Sequence, residues 1–89
     1  MSIERPALLV VDDRAENRTA LSAALEGEDY EIVLAASGEE ALAALLRHEV
    51  AVILMDVAMP GLDGFETARI VRAREKTRRI PIIFVTAMM

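Results

Sequence analysis

The sequence Ala51-Val-Ile-Leu-Met-Asp56 consists of five apolar residues followed by a carboxylate. A short, continuous apolar run of this kind predicts a strand that is buried on both faces of a sheet. The turn-forming group Met59-Pro60-Gly61 follows closely and predicts that the strand ends at Asp56. Because ligands of open parallel α/β sheets bind outside the carboxyl ends of the strands, Asp56 is a candidate functional residue.

The composition limits the possible classes of protein. With 89 residues, of which 54% are hydrophobic, the chain is expected to form one small globular domain. It has no cysteine, so a disulfide framework and a thiolate metal site are excluded. The net charge of −5 and the lack of a long basic stripe argue against direct nucleic-acid binding. No apolar run approaches the ~20 residues of a membrane span, and we therefore expect a soluble cytoplasmic protein.

Three further apolar runs predict strands, and they alternate with segments of helical periodicity. We expect a central strand over residues 7–11, a more polar edge strand over residues 30–36 and a fourth strand over residues 80–85. Alternation of this kind is typical of βα units with right-handed crossovers. The expected architecture is therefore βαβαβαβ, an α/β fold with a doubly wound parallel sheet.

Each predicted helix starts at a capping residue that is followed three positions later by glutamate. The three pairs are Asp13 with Glu16, Ser37 with Glu40, and Asp63 with Glu66. This spacing favours reciprocal hydrogen bonds at a helix N-terminus. Apolar residues at helical spacing predict the inner faces of the three helices. These residues are Ala20, Leu21, Ala24 and Leu25 in the first helix, Ala41, Leu42, Leu45 and Leu46 in the second, and Phe65, Ala68 and Val71 in the third.

Polar side chains follow three of the predicted strands. Asp12 and Asp13 come after the first strand, Asp56 ends the third, and Thr86 follows the fourth. In a doubly wound sheet of strand order 2-1-3-4 these three strands are neighbours, so their carboxyl ends meet. Converging carboxylates repel one another unless a cation neutralises them, which predicts a hard divalent ion. Mg²⁺ suits such a site best because it keeps coordination positions open for a phosphoryl oxygen.

The chain resembles a known family, the receiver domains of two-component response regulators. Three motifs carry the resemblance along the whole chain: Leu9-Val-Val-Asp-Asp13, Leu54-Met-Asp-Val-Ala-Met-Pro-Gly-Leu-Asp-Gly64 and Ile80-Pro-Ile-Ile-Phe-Val-Thr-Ala87. The middle motif is highly specific, and the order and spacing of all three add to it. The resemblance implies a flavodoxin-like sheet with strand order 2-1-3-4.

The resemblance also implies a role for each residue that matches a family motif. Asp56 matches the phosphoacceptor, which receives a phosphoryl group from a phosphohistidine of a histidine kinase or phosphotransfer protein. Mg²⁺ would be held by Asp12, Asp13, Asp56 and the backbone carbonyl of Ala58. Thr86 matches the hydroxyl that hydrogen-bonds the phosphoryl oxygen, and Ala87 matches the small residue that leaves the pocket accessible. A receiver is consumed as a substrate in each transfer, so we do not expect an enzyme.

One family feature has no counterpart in this chain. Receivers also have a lysine at the end of a fifth strand, whereas the single lysine here, Lys76, is expected at the opposite end of the sheet. We therefore interpret residues 1–89 as a partial receiver domain and expect it to be part of a longer polypeptide. Without a fifth strand, the outer edge of the fourth strand would recruit a second copy and form a homodimer.

Other interpretations stay open beside the phosphoacceptor. The chain could be a receiver-like dimerisation or docking module that no longer switches, or a fragment without full activity. A metal-dependent phosphatase with an aspartyl nucleophile is a weaker idea, because it needs a second acid where Ala58 stands. For individual residues, we expect Asp63 to cap a helix and His48 to occupy a solvated helix C-terminus. The methionines at positions 55, 59, 88 and 89 are interpreted as packing residues.

Overall fold

The structure is a computed structural model that describes residues 5–27 and 29–85. It contains four parallel strands in the order β2-β1-β3-β4 and three helices, which confirms the predicted fold class and strand order. The elements are β1 (Ala7–Val11), α1 (Ala15–Leu25), β2 (Glu31–Ala35), α2 (Gly38–Arg47), β3 (Val50–Asp56), α3 (Gly64–Ala73) and β4 (Ile82–Val85). No helix in the described ranges has the length and apolar character needed to cross a membrane.

The main core lies on one face of the sheet, which we call the α2–α3 face. Side chains alternate between the two faces of a strand, and the parallel register places Leu9 beside Ile53 and Val11 beside Met55. These four side chains are buried. They form one apolar cluster with residues from α2 and α3, namely Ala41, Leu45 and Val71. The apolar runs of β1 and β3 thus place the centre of the sheet beneath these two helices.

The opposite face, which we call the α1 face, is less completely packed. The structure describes every residue of α1, and none of them is buried. Of the four residues predicted for its inner face, Leu21 and Leu25 are half-buried, whereas Ala20 and Ala24 are exposed. The predicted apolar stripe is therefore only partly correct, because two of its four residues are exposed.

The predicted start of α1 is wrong. Its N-cap residue is Arg14, whose side chain makes no capping hydrogen bond, and Asp13 is exposed. The backbone N–H of Arg14 instead donates to Oδ1 of Asp12 at 2.9 Å. The carboxylate of Asp12 thus accepts from the N–H of the N-cap residue itself. The N-cap is Arg14, one residue later than the predicted cap, Asp13.

The starts of α2 and α3 are confirmed. Ser37 accepts a hydrogen bond from the N–H of Glu40 at 3.0 Å, and Asp63 and Glu66 form a reciprocal capping box. Asp63 is therefore a helix cap, as predicted. Each helix that borders the main core thus begins with a side-chain cap, and α3 has a complete capping box.

In α2 and α3, two residues predicted for the inner faces are exposed. Leu46 is 68% exposed and Phe65 is 54% exposed, so both predictions are wrong. Leu46 follows buried Leu45, and adjacent residues of a helix point in different directions, so Leu46 faces away from the sheet. Phe65 packs instead against Phe84 of β4, with ring centroids 4.9 Å apart. Thr67, which the apolar pattern did not single out, is fully buried in α3.

The strands differ from prediction mainly at their ends. β2 lies at the sheet edge as predicted but covers residues 31–35 rather than 30–36, and β4 begins at residue 82 rather than 80. Lys76 lies in the turn before β4 and lines a cleft with Val50, the first residue of β3. Lys76 is therefore at the opposite end of the sheet from Asp56, as expected. His48 is the C-cap of α2.

Candidate functional site

The carboxyl ends of β1 and β3 bring three carboxylates together. Val11 pairs with Met55, so Asp12 and Asp56 occupy the next positions on neighbouring strands. Carboxylate oxygens of Asp12, Asp13 and Asp56 all lie within 4.8 Å of one another. Asp12 is buried, Asp56 is half-buried and Asp13 is exposed, so the group is open to solvent on one side.

Asp12 is fixed by hydrogen bonds at both its main chain and its side chain. Its N–H donates to the carbonyl of Ala35 at 3.1 Å, and its carbonyl accepts from Nη1 of Arg18 at 2.8 Å. Its carboxylate accepts from the N–H of Arg14 at 2.9 Å and faces Nδ2 of Asn17 at 3.3 and 3.4 Å. These donors replace hydrogen bonds to water and so lower the free-energy cost of burying the carboxylate.

The loop after Asp56 is held close to the strand. The N–H of Gly64 donates to the carbonyl of Val57 at 2.8 Å, which closes the loop onto the first residue of α3. A Cβ at Gly64 would meet the carbonyl oxygen of Asp56 and lie 2.9 Å from Cα of Val57, so only glycine fits. Met59 is buried in the core and anchors the middle of the loop. The position of Asp56 is thus defined by packing on the α2–α3 face.

The electrostatics of the site act on Asp56. Partial burial raises the pKa of the Asp56 carboxyl above its ordinary value, and the negative charges of Asp12 and Asp13 raise this pKa further. The backbone N–H groups of Val57 and Ala58 donate to the carboxylate and lower the pKa, but by less. A cation bound among the three acids would remove the repulsion, and the all-oxygen donor set fits a hard divalent ion.

A family model shows which family the chain belongs to. Residues 8–89 match the family model described as "Response regulator receiver domain". The chain belongs to this family. The sequence motifs at the ends of β1, β3 and β4 predicted this membership, and the acidic group at the carboxyl ends of the receiver strands agrees with it.

Curated relatives support the assignment. The chain is 43% identical over 81 residues to the response regulator PleD of Caulobacter vibrioides, an alignment that covers 91% of this chain and 18% of PleD. It is 45% identical over 80 residues to the transcriptional regulatory protein ResD of Bacillus subtilis, which covers 90% of this chain and 32% of ResD. The receiver chain thus spans less than two thirds of the length of each of these relatives.

Solved structures show the same fold. The chemotaxis protein CheY4 of Vibrio cholerae superimposes with a TM-score of 0.87 at 35% identity, over 96% of this chain and 71% of the CheY4 chain. The N-terminal domain of a receiver protein from Methanoculleus marisnigri gives the same TM-score and identity over 92% of this chain and 67% of that chain. The observed strand order is therefore that of known receivers.

The structure brings together some of the predicted site residues. Asp12, Asp13 and Asp56 meet as predicted, and Ala58 is exposed in the loop that follows Asp56. Thr86 and Ala87 lie outside the described residues, as do Met88 and Met89. Met55 and Met59 are buried packing residues, as predicted.

Asn17 and Arg18 were missed as partners of the receiver site. Both lie in the first turns of α1, and both donate hydrogen bonds to Asp12. The available signal was their spacing, five and six residues after Asp12, because a helix that follows a strand tip brings its first turns back toward that tip. Capping patterns and apolar periodicity carry no information about such contacts.

Proposed function

We propose that this chain is the phosphoacceptor module of a two-component phosphorelay and that Asp56 receives the phosphoryl group. The donor would be a phosphohistidine of a histidine kinase or phosphotransfer protein. The observation that carries the proposal is the group of three carboxylates at the ends of β1 and β3, in a chain of the receiver family. A cytoplasmic location is part of the proposal and rests on family membership alone.

In the proposed reaction a carboxylate oxygen of Asp56 attacks the phosphorus atom of the phosphohistidine. A new P–O bond forms as the P–N bond breaks, and the imidazole nitrogen leaves with the electron pair. The product is an acyl phosphate on Asp56. Such a transfer needs in-line positioning and charge stabilisation more than covalent assistance, and the loop from Val57 to Gly64 supplies the positioning. The chain is consumed in each transfer and is not an enzyme in this proposal.

The residues that would hold Mg²⁺ are Asp12, Asp13, Asp56 and the backbone carbonyl of Ala58. When bound, the ion would neutralise the negative charge that gathers between the carboxylates and the phosphoryl oxygens. Two observations support this set. The carboxylates offer only oxygen ligands within 4.8 Å of one another, and partial burial together with the negative charges of Asp12 and Asp13 raises the pKa of Asp56.

Thr86 is proposed to hydrogen-bond the phosphoryl oxygen, and Ala87 to keep the pocket accessible. The register of the last two strands supports both roles, because Val85 of β4 pairs with Asp56 of β3. The last described residue of β4 therefore lies beside the proposed phosphoacceptor.

The test is phosphorylation of the 89-residue chain by a small phosphodonor, followed by intact-mass spectrometry. With Mg²⁺ we expect a mass gain of one phosphoryl group, and we expect none when the metal is chelated. Asp56→Asn should abolish the gain. A matched control is Asp63→Asn, which removes a carboxylate near the loop but keeps an N-cap side chain that can accept from Glu66. Retained phosphorylation of Asp56→Asn would refute the assignment.

A second candidate function is dimerisation through β4, as a docking module. Among residues 5–27 and 29–85, no strand pairs with the side of β4 that faces away from β3. Ile83 and Phe84 of this strand are 53% and 40% exposed. An exposed apolar edge strand can pair with a strand of another chain, and a second copy of β4 would bond its unpaired N–H and C=O groups.

Light scattering at micromolar concentration tests the dimer. We expect a homodimer that becomes monomeric when Ile83→Lys places a charge on the edge strand. Leu46→Lys is the matched control, because it charges an equally apolar, exposed residue on α2 and should leave the dimer intact. A folded wild-type monomer at this concentration would refute this second function and leave the phosphoacceptor proposal untouched.

A further inference from the structure

The carboxylate of Asp12 is contacted by a neutral amide from α1. Nδ2 of Asn17 lies 3.4 Å from Oδ1 and 3.3 Å from Oδ2 of Asp12. The amide nitrogen is therefore almost equally distant from both carboxylate oxygens. A donor in this position restricts rotation of the carboxylate about its last side-chain bond, a torsion that is otherwise broadly distributed.

The other degrees of freedom of Asp12 are already limited. The N–H of Asp12 bonds Ala35, its carbonyl bonds Arg18, and Oδ1 bonds the N–H of Arg14. The main chain is thus anchored from two sides, and one oxygen has a fixed donor. The rotation that Asn17 restricts decides where the remaining lone pairs of the carboxylate point.

Mg²⁺ is sensitive to this orientation. It requires near-octahedral geometry, so a carboxylate that can rotate freely must lose that freedom when the ion binds. Groups that hold a ligand in place are worth 10–100-fold in metal affinity in well-studied sites. Asn17 can supply this orientation without adding charge to a site that already contains three acids.

We propose that Asn17 is a positioning residue that orients the Asp12 carboxylate for a divalent cation at the tips of β1 and β3. This inference rests on the proposed function, because it assumes that Asp12 is a metal ligand. It adds a residue of α1 to the site and gives the weakly packed helix a specific role. Asn17 does not touch the cation in this proposal.

The test is a Mg²⁺ titration of the 89-residue chain followed by ¹⁵N NMR. We expect Asn17→Ala to raise the Mg²⁺ Kd about tenfold, the lower end of the range because both contacts are long. Asn17→Gln keeps the amide donor and should recover part of the loss. Thr19→Ala changes an exposed residue two positions along the same helix and should leave the Kd unchanged.

Two further readouts separate positioning from a general structural effect. The side-chain amide signals of Asn17 should shift during the titration with the same midpoint as the backbone signals of Asp12. Urea denaturation without metal should give similar unfolding free energies for wild type and Asn17→Ala. These results would support orientation of Asp12 rather than stabilisation of α1.

The outcomes for the inference and for the proposed function are distinguishable. If wild type binds Mg²⁺ and Asn17→Ala binds it equally well, Asn17 is not a positioning residue, while the metal site stands. If wild type shows no Mg²⁺-dependent shifts at Asp12, Asp13 or Asp56, the metal site itself is refuted and the inference falls with it.

Discussion

The two faces of the sheet differ in how completely they are packed. On the α2–α3 face, Leu9, Ile53 and Met55 are fully buried beneath two capped helices. On the α1 face the covering helix has no buried residue, and Asp12 lines a cleft of about 240 Å³ with Asn17, Leu21 and their neighbours. The difference indicates that the α2–α3 face supplies most of the stability, whereas the α1 face leaves an open cleft beside Asp12.

The largest expected effect is a core truncation that compares the two faces directly. Ile53→Ala should lower the free energy of unfolding by about 3 kcal/mol, because Ile53 is fully buried and its loss leaves a cavity. Leu54→Ala removes a similar side chain from the next position of β3, but this residue is half-buried on the α1 face. We expect it to cost about 1 kcal/mol. Urea denaturation measures both, and equal losses would contradict the difference between the faces.

A smaller effect is expected from added methyl groups at two glycines. Gly64→Ala places a Cβ against the main chain of Asp56 and Val57, and we expect a loss of about 2 kcal/mol. Gly27→Ala, after α1, meets only the ring of Tyr30, which can move. Its effect should stay within about 0.5 kcal/mol. Thermal unfolding of the pair tests whether the α3 side is the more tightly constrained, and a tolerated Gly64→Ala would show that it is not.

Helix caps give the third comparison. Asp63→Ala removes half of the capping box of α3 and should cost about 1 kcal/mol. Arg14→Ala at the N-cap of α1 removes a side chain that makes no capping bond, and only its retained backbone N–H reaches Asp12. The change should be below about 0.5 kcal/mol. Denaturation curves that rank Arg14→Ala above Asp63→Ala would contradict the account of how the two helices begin.

The smallest expected change in stability comes from Asp56→Asn, which should raise the free energy of unfolding rather than lower it. Since the folded-state pKa of Asp56 is raised, its ionised form disfavours folding at neutral pH. Stability should increase as the pH falls through this raised pKa, and the gain is complete below the pKa of the unfolded chain. Asp56→Asn should therefore be more stable than wild type at pH 7 and lose that advantage in acid.

Magnesium provides the control for the pH effect. Saturating Mg²⁺ should reduce the stability difference between wild type and Asp56→Asn at pH 7, because an ion bound at the proposed site would neutralise the repulsion and stabilise only the folded state. Denaturation with and without Mg²⁺ across the pH range measures this. An Asp56→Asn variant that is less stable than wild type at neutral pH would mean that burial and the charges of Asp12 and Asp13 do not disfavour the ionised form of Asp56.

The sequence predicted most of the fold because its signals are local. Apolar runs predicted the strands, and the spacing of Ser37 with Glu40 and of Asp63 with Glu66 predicted two helix starts. The start of α1 was not predictable in this way, because Asp12 bonds the N–H of Arg14 and competes with a cap at Asp13. The contact of Phe65 with Phe84 was not predictable either, because Phe84 lies in a different element of the fold.

For the site, the three acids were predictable because the carboxyl ends of neighbouring parallel strands must meet. For the hydrogen bonds from Asn17 and Arg18 to Asp12, spacing was the only signal, and whether they form depends on how α1 leaves the tip of β1. Apolar periodicity predicts which face of a single helix is buried. It does not predict which polar side chain of that helix contacts a residue of another element.

Chemical trapping can show whether Asp56 is the residue that carries the phosphoryl group. After incubation with Mg²⁺ and a small phosphodonor, borohydride reduces an aspartyl phosphate to homoserine, and peptide mass spectrometry locates the change. We expect conversion of Asp56, with Asp12, Asp13 and Asp63 unchanged. Conversion at one of those other aspartates, or none at Asp56 while the chain gains phosphate, would contradict it.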